Sequence, residues 1–513
     1  MEIKNIELFH DSGKEILYLN CGKCTWNDVE IELKDDGKVF IKSDRSGLYR
    51  IRLHIANKYF DNPHILSDAW ERAYGDLCWD SMSNRAFPWY FIAYENEKTY
   101  GFGVKTQPNS MCSWECNQDE IILNIDIRNG SNPIFLNGRL LEACEIVYFN
   151  GENDIHKAAN DFCYKMCDAP RTKNATIYGG NDWYCNYGNN SYEKIIKHTK
   201  RIVECSPDNE IKPFMVIDDG WELCHHQSEI DYEYFNGGPW KYCNDNFMDM
   251  EKLAKEITSL GAIPGIWFRP LWTVEKLPPE CILKHDGIKY TLDPSSEITL
   301  KQVEKDVKTI VGWGYKLIKH DFTTFDILGQ WGFEMTEDLC KGEVNFADKT
   351  KTTAEIIKKF YDVIRKAAGD DVLIMGCNTI SHLSAGVFDI QRTGDDTSGI
   401  EWSRTRKMGI NTLAFRMCQH NKFYLVDADC VGITNSIPWK KNKQWLDVLA
   451  KSGTPLFVSI AEDAYTDEIK SDIKKAFDMV VSNSKVSKPL DWFETNTPQK
   501  WESSFGTDEY DWS

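Results

Sequence analysis

The residues best suited to chemistry stand in the run Tyr315–Asp321, YKLIKHD. In a strand, side chains alternate faces, so Lys319 and Asp321 share a face with Tyr315 and Leu317, while His320 takes the other. An ammonium two residues before a carboxylate holds that carboxylate ionised, the state a buried nucleophile requires. Two further runs carry paired acids. Asp218 and Asp219 lie in IDDGW, and Asp395 and Asp396 follow Arg392 in RTGDD. Trp183, Trp221 and Trp267 end other apolar runs, as does Asn378. Histidine is scarce among these ends, with His225 and His226 read as loop residues, which disfavours a His-based metal centre or a Ser-His-Asp triad. An all-oxygen cation site on Asp218, Asp219, Asp395 and Asp396 would have to tolerate Lys319 and Arg392 among its ligands, so no metal is expected.

Two carboxyls in distinct electrostatic settings beside aromatic faces suit cleavage of a glycosidic bond. Asp321 would attack as the ionised partner. The proton donor must stay protonated near neutral pH, and the crowded pair Asp395–Asp396 offers that, since like charges raise a carboxyl's pKa. Arg392 would orient substrate or temper the crowding. Asp218 and Asp219 would accept sugar hydroxyls, and the three tryptophans would stack on the ring.

These residues need a scaffold that gathers strand ends. From about residue 171, eight strand-like runs alternate with amphipathic helices: 176–182, 214–220, 263–269, 315–321, 372–378, 387–393, 423–429 and 455–460. Helical stripes are plain at 297–312, with Ser295 or Ser296 as N-cap, and at 353–367, closed by Gly369. Eight such units predict a (β/α)8 TIM barrel, whose chemistry gathers at the C-terminal ends of the strands. No glycine-rich phosphate loop follows the first strand, as an open dinucleotide-binding sheet would require. Residues 1–165 read instead as an N-terminal β-sandwich, with hairpin signals at Asp36–Gly37, Asn129–Gly130 and Asn137–Gly138. Residues 171–482 form the expected barrel, and 483–513 a small C-terminal β segment, short or truncated. The chain is thus expected to be multidomain.

The 513 residues carry 79 acidic and 60 basic side chains, a net charge of −19, which argues against nucleic acid and anionic membrane surfaces as partners. No membrane span and no leader peptide are read, and 17 cysteines without a framework spacing favour a reducing, cytoplasmic location. The partner expected is an oligosaccharide or glycoconjugate, with homo-oligomerisation left open.

Together, IDDGW, KHD and R-x-x-x-D resemble the retaining α-galactosidases of glycoside hydrolase family 36, with families 27 and 31 as more distant relatives. Residues 67–79, SDAWERAYGDLCW, resemble the family's N-terminal sandwich, and PLDWFETNTP resembles the start of its C-terminal domain. The resemblance implies Asp321 as nucleophile and Asp396, four residues after Arg392, as acid/base, with Asp395 in reserve. It implies that Asp218 and Asp219 take the O4 and O6 hydroxyls, Lys319 a neighbouring one, and that no cofactor is used. The expected reaction is removal of terminal α-galactose by double displacement, with the carboxyls about 5–5.5 Å apart. An α-N-acetylgalactosaminidase, or a galactosyl transferase of the raffinose-synthase kind, are the alternatives. The runs GGNDWYCNYG and GCNTISH depart from a galactose-specific pattern.

Overall fold

The computed structural model describes residues 1–82, 85–152, 154–171, 176–227, 234–285, 290–483 and 485–513. Residues 3–152 form two antiparallel sheets of seven strands each. In one, the strand Gly47–Ala56 sits between Ile3–His10 and Glu120–Asp126, which sets Leu53 opposite both Ile6 and Leu123. In the other, Leu140–Glu152 sits between Lys38–Ser43 and Lys98–Val104. Alternation sends Ile6, Leu8 and Leu53 of the first and Ile41 and Phe102 of the second into one core. Of the three expected hairpin turns, Asp36–Gly37 joins paired strands. The other two are local turns, because Ile134–Phe135 pairs with residues 47–48 instead of turning back on its neighbour. The helix Ile155–Met166 then lays Phe162 over Gly101, where an added Cβ would come within 2.7 Å.

Nine parallel strands follow: β1 (Tyr178–Asn181), β2 (Phe214–Ile217), β3 (Ile263–Phe268), β4 (Leu317–His320), β5 (Leu373–Gly376), β6 (Ile390–Arg392), β7 (Leu425–Asp427), β8 (Val431–Ile433) and β9 (Leu456–Ile460). Their order is β7-β6-β5-β4-β3-β2-β1-β9-β8. The sheet curls, since its two edge strands, β7 and β8, are consecutive pieces of one run of chain. All eight expected strands recur; the seventh, expected over 423–429, ends at Asp427, and β8 at 431–433 is an additional strand not expected from the sequence. Asp429 lies between the two with φ 75°, a left-handed backbone.

One face of the sheet packs Val216, Leu317, Met375, Ile390, Leu425 and Phe457 together. The other turns Ile217, Ile318, Ile374 and Val458 into the main core, which also holds Val303, Val307, Ile357 and Phe360 of the crossover helices. The helix Thr353–Ala368 starts with a reciprocal cap between Thr352 and Glu355 and ends at Gly369, φ 72°. Ser296 occupies the N-cap of Glu297–Gly312 without a side-chain bond. Ser295 Oγ accepts from the Asp348 N–H at 3.0 Å instead. A three-stranded sheet, 488–489, 500–503 and 506–509, ends the chain. It is anchored where the Tyr510 hydroxyl donates to Asp447 at 2.7 Å.

One loop of the N-terminal layer reaches the parallel sheet. Asp68 pairs with the buried Arg416 at 2.8 Å. The Ala73 N–H then donates to Thr393 O at 2.8 Å, and the Asp395 N–H returns a bond to Ala73 O at 2.9 Å. Among the described residues no helix is long and apolar enough to cross a membrane, and all 17 cysteines are unpaired thiols.

Candidate active site

The C-terminal ends of β1 to β6 surround a pocket lined by Arg72, Trp183, Asp218, Asp219, Trp267, Lys319, Asp321, Phe322, Trp331 and Asp396. Asp321 enters one residue past β4. Trp267 Nε1 donates to its Oδ2 at 3.1 Å, and the Phe322 N–H donates to its Oδ1 at 2.8 Å. Phe322 holds φ 64°, an uncommon conformation for a bulky residue, and this turn aims its amide at the carboxylate. Burial pushes the Asp321 pKa up, but the charges of Arg72 and Lys319, with those two hydrogen bonds, outweigh it. The carboxyl therefore stays below the usual aspartate range.

Lys319 shares the Asp321 face as expected, yet its ammonium bonds elsewhere. Its Nζ reaches Asp218 Oδ2 at 2.7 Å, so it holds Asp321 ionised through space and not by contact. Asn181 Nδ2 donates to the same oxygen at 2.6 Å, and the Asp218 N–H donates to Asp182 Oδ1 at 2.7 Å. Gly220 makes the IDDGW turn at φ 120°, where a Cβ would meet Asn190 Oδ1 and Gly188 O at 2.5 Å.

Arg72 reaches both carboxylates of the Asp395–Asp396 pair, and Arg392 pairs with Asp396 alone of the two. Asp396 faces the pocket, with Arg392 at 3.4 Å and Arg72 at 3.8 Å from its Oδ1. Asp395 turns away to bind Arg72 and Arg404, each at 2.9 Å. Their pKa values diverge accordingly. Desolvation raises Asp396 even though 38% of its side chain opens to solvent, with Asp395 and Asp429 adding to the rise against the two arginines. For Asp395, Arg72 and Arg404 overcome burial and hold it low.

Four expected substrate contacts do not line the pocket. Trp221 is 0% exposed and donates Nε1 to Trp267 O at 3.0 Å, so it supports Trp267 from beneath. Asn378, also 0% exposed, is bonded to Glu71 and accepts from the Phe325 N–H at 3.3 Å. Arg392 is 1% exposed and pairs with Asp429 at 2.8 Å and with Asp396 at 3.4 Å. Asp395 is spent on its two arginines.

Sequence reasoning missed Arg72, Phe322 and Trp331. Arg72 comes from the run likened to the family's sandwich, and its guanidinium lies 5.2 Å from the Trp331 ring centroid. Nor do His225 and His226 lie in a loop: residues 224–227 pair with 234–237 in a hairpin. There His225 Nδ1 stands 3.1 Å from both Asp219 Oδ1 and Glu222 Oε1. These three are the one group of ligand-type residues, among those described, spaced closely enough for a metal ion. The ring nitrogen stands between the two carboxylates, whose charges outweigh burial and push the His225 pKa up to about 10.

No family model matches the sequence. Solved structures match nearly the whole chain. An α-galactosidase from Thermus thermophilus, TtGalA, in complex with p-nitrophenyl α-D-galactopyranoside, superposes with a TM-score of 0.61 at 14% identity, covering 99% of each chain. A variant of the GH36 α-galactosidase AgaA from Geobacillus stearothermophilus, in complex with stachyose, gives 0.62 at 12% identity over 97% of this chain and 78% of that one. The galactosidase domain of the α-galactosidase-sucrose kinase AgaSK gives 0.59 at 13% over 94% and 74%. The structural neighbours are thus GH36 α-galactosidases, and what this chain shares with them is the fold.

Proposed function

We propose that the protein is a retaining exo-α-galactosidase of the family 36 kind. The curled sheet would be its (β/α)8 barrel with one additional short strand after the seventh, preceded by the sandwich of residues 1–165 and followed by the segment 483–513. The observation that carries the proposal is the pair Asp321 and Asp396, which line one pocket with pKa values moved in opposite directions. Glycoside cleavage needs that pairing, one carboxyl ionised and the other protonated.

Asp321 attacks the anomeric carbon as Asp396 gives its proton to the leaving oxygen, and a glycosyl ester forms on Asp321. Asp396, now ionised, takes a proton from water, which attacks the ester and releases the sugar with its configuration retained. Supporting Asp396 over Asp395 as the acid are its raised pKa and its place on the pocket wall. Asp218, fixed by Lys319 and Asn181, and Asp219 would accept hydroxyls of the same sugar. Trp183 and Trp331 offer the aromatic faces. The structural neighbours hold α-galactosides such as stachyose and p-nitrophenyl α-galactopyranoside, which supports a sugar of that class here. Unpaired thiols throughout the chain support a reducing, cytoplasmic location.

Hydrolysis of p-nitrophenyl α-galactoside, its α-N-acetylgalactosaminide and raffinose, with Asp321→Asn as control, tests the assignment. The galactosides are expected to be cleaved and the control to be inactive. Preference for the acetamido sugar would reassign the substrate, transfer of galactose to an added acceptor sugar would reassign the reaction, and turnover by Asp321→Asn would remove the nucleophile.

A further inference from the structure

The displacement leaves a second titratable cluster unused. Glu222 is 0% exposed, and its Oε2 accepts the Gly220 N–H at 3.1 Å while its carboxyl is hydrogen-bonded to Asp219. His225 comes from the hairpin described above, in register with Asn236. Both residues of that register pair therefore reach one carboxylate: His225 Nδ1 binds Asp219 Oδ1 at 3.1 Å, and Asn236 Nδ2 donates to Oδ2 at 2.9 Å. Arg269 fixes Asn236 through its Oδ1, and Asp326 fixes Arg269 with two bonds, at 2.6 and 3.0 Å.

Among the described residues, the titratable groups that act on Glu222 are Asp219 from the end of β2 and His225 from the hairpin, with Cys224 beside them. Arg269 is linked to Asp219 through Asn236. Two carboxylates around one imidazole nitrogen carry more negative charge than a buried site tolerates. Burial and the Asp219 charge push Glu222 up to about 8. For His225, Asp219 and Glu222 outweigh burial and push it up to about 10. Glu222 thus holds its proton more readily than a free carboxyl and His225 more readily than a free imidazole, while Asp219 is held below the usual aspartate range.

We propose that Glu222 and His225 are positioning residues that act through Asp219, clamping its carboxylate as a fixed acceptor for substrate hydroxyls. Both roles presuppose that the pocket is the galactoside site. A clamp of this kind acts on ground state and transition state alike, so it governs KM more than kcat. It also fails when Glu222 ionises, because a second buried anion then presses on Asp219.

The test uses the intact protein, p-nitrophenyl α-galactoside as substrate and galactose as competitive inhibitor, from pH 6 to 10. Turnover by the unmodified protein tests the galactosidase assignment alone. Comparison with the variants tests the clamp. Unmodified protein should bind galactose more weakly above about pH 8. Glu222→Gln, an uncharged isostere of the protonated acid, should keep KM within about threefold at pH 7 and lose that alkaline step. Glu222→Ala and His225→Asn should raise KM at least about tenfold with kcat little changed, their folding checked by circular dichroism. Equal damage from Glu222→Gln and Glu222→Ala would overturn the proposal, as would an alkaline step that persists in Glu222→Gln. Loss of galactose binding on EDTA treatment would replace the shared protons by a cation and overturn it equally.

Discussion

Arg72 allows the sharpest test of how the pocket sets its two carboxyls apart. It is the leading charge that lowers Asp321, and it stands 3.8 Å from Asp396. Replacing it with methionine keeps much of its packing against Trp331 and removes the cation. Unit charges about 4 Å apart interact by about 4 kcal/mol at an effective dielectric of about 20. Asp396 is 38% exposed, and solvent screening reduces the effect there to about 1 kcal/mol, roughly one pKa unit. The sign is the same at both groups, because losing a nearby cation makes a carboxyl easier to protonate. The acidic limb of kcat/KM, where Asp321 must be ionised, should rise. The alkaline limb, where Asp396 must be protonated, should rise by about one unit. The assay is a pH profile of kcat/KM on an activated α-galactoside for unmodified protein and Arg72→Met. Damage to the fold would lower the profile's amplitude and leave its limbs in place. Unmoved limbs in a folded variant, or an alkaline limb that falls, would refute the electrostatic role of Arg72.

Other substitutions probe the remaining contacts. Asp396→Asn should cost about 10²–10⁴-fold with a poor leaving group and far less with a good one, whereas Asp395→Asn should show no such dependence on the leaving group. Trp267→Phe removes the 3.1 Å hydrogen bond to Asp321 Oδ2, a bond to a charged group worth about 1.5–3 kcal/mol, and should lower kcat/KM about 10- to 100-fold while raising the acidic limb. Arg416→Met leaves the buried Asp68 without its partner and should cost about 3–5 kcal/mol of stability, seen as a lowered urea midpoint.

What the sequence makes legible follows from its periodicities. Alternation along 315–321 puts Lys319 with Asp321, and the strand–helix rhythm brings IDDGW, KHD and RTGDD to one pole of a parallel sheet. Depth and partner choice are not encoded in that rhythm. Trp221 and Asn378 stand at strand ends like the others, yet both are fully buried outside the pocket, Trp221 bonded to the Trp267 carbonyl and Asn378 to Glu71. Lys319 lies two residues from Asp321 but bonds Asp218, two strands away past β3, because the curled sheet gathers its strand ends around one pole. Arg72 meets Cys377 across 305 residues, a contact that no local pattern could announce. The additional strand at 431–433 was equally hidden, because a three-residue run just beyond the expected strand 423–429 carries no pattern of its own, and only the left-handed Asp429 backbone separates the two.

The central claim is that Asp321 forms a covalent bond to the sugar. An activated α-galactoside carrying fluorine at C2, which slows release of the intermediate more than its formation, measures this directly when the labelled protein is digested and mapped by mass spectrometry. One galactosyl adduct should be found, on Asp321 and absent from Asp321→Asn, with the first sugar released from unmodified substrate in the α configuration. An adduct on another residue, or first release of β-galactose, would contradict it.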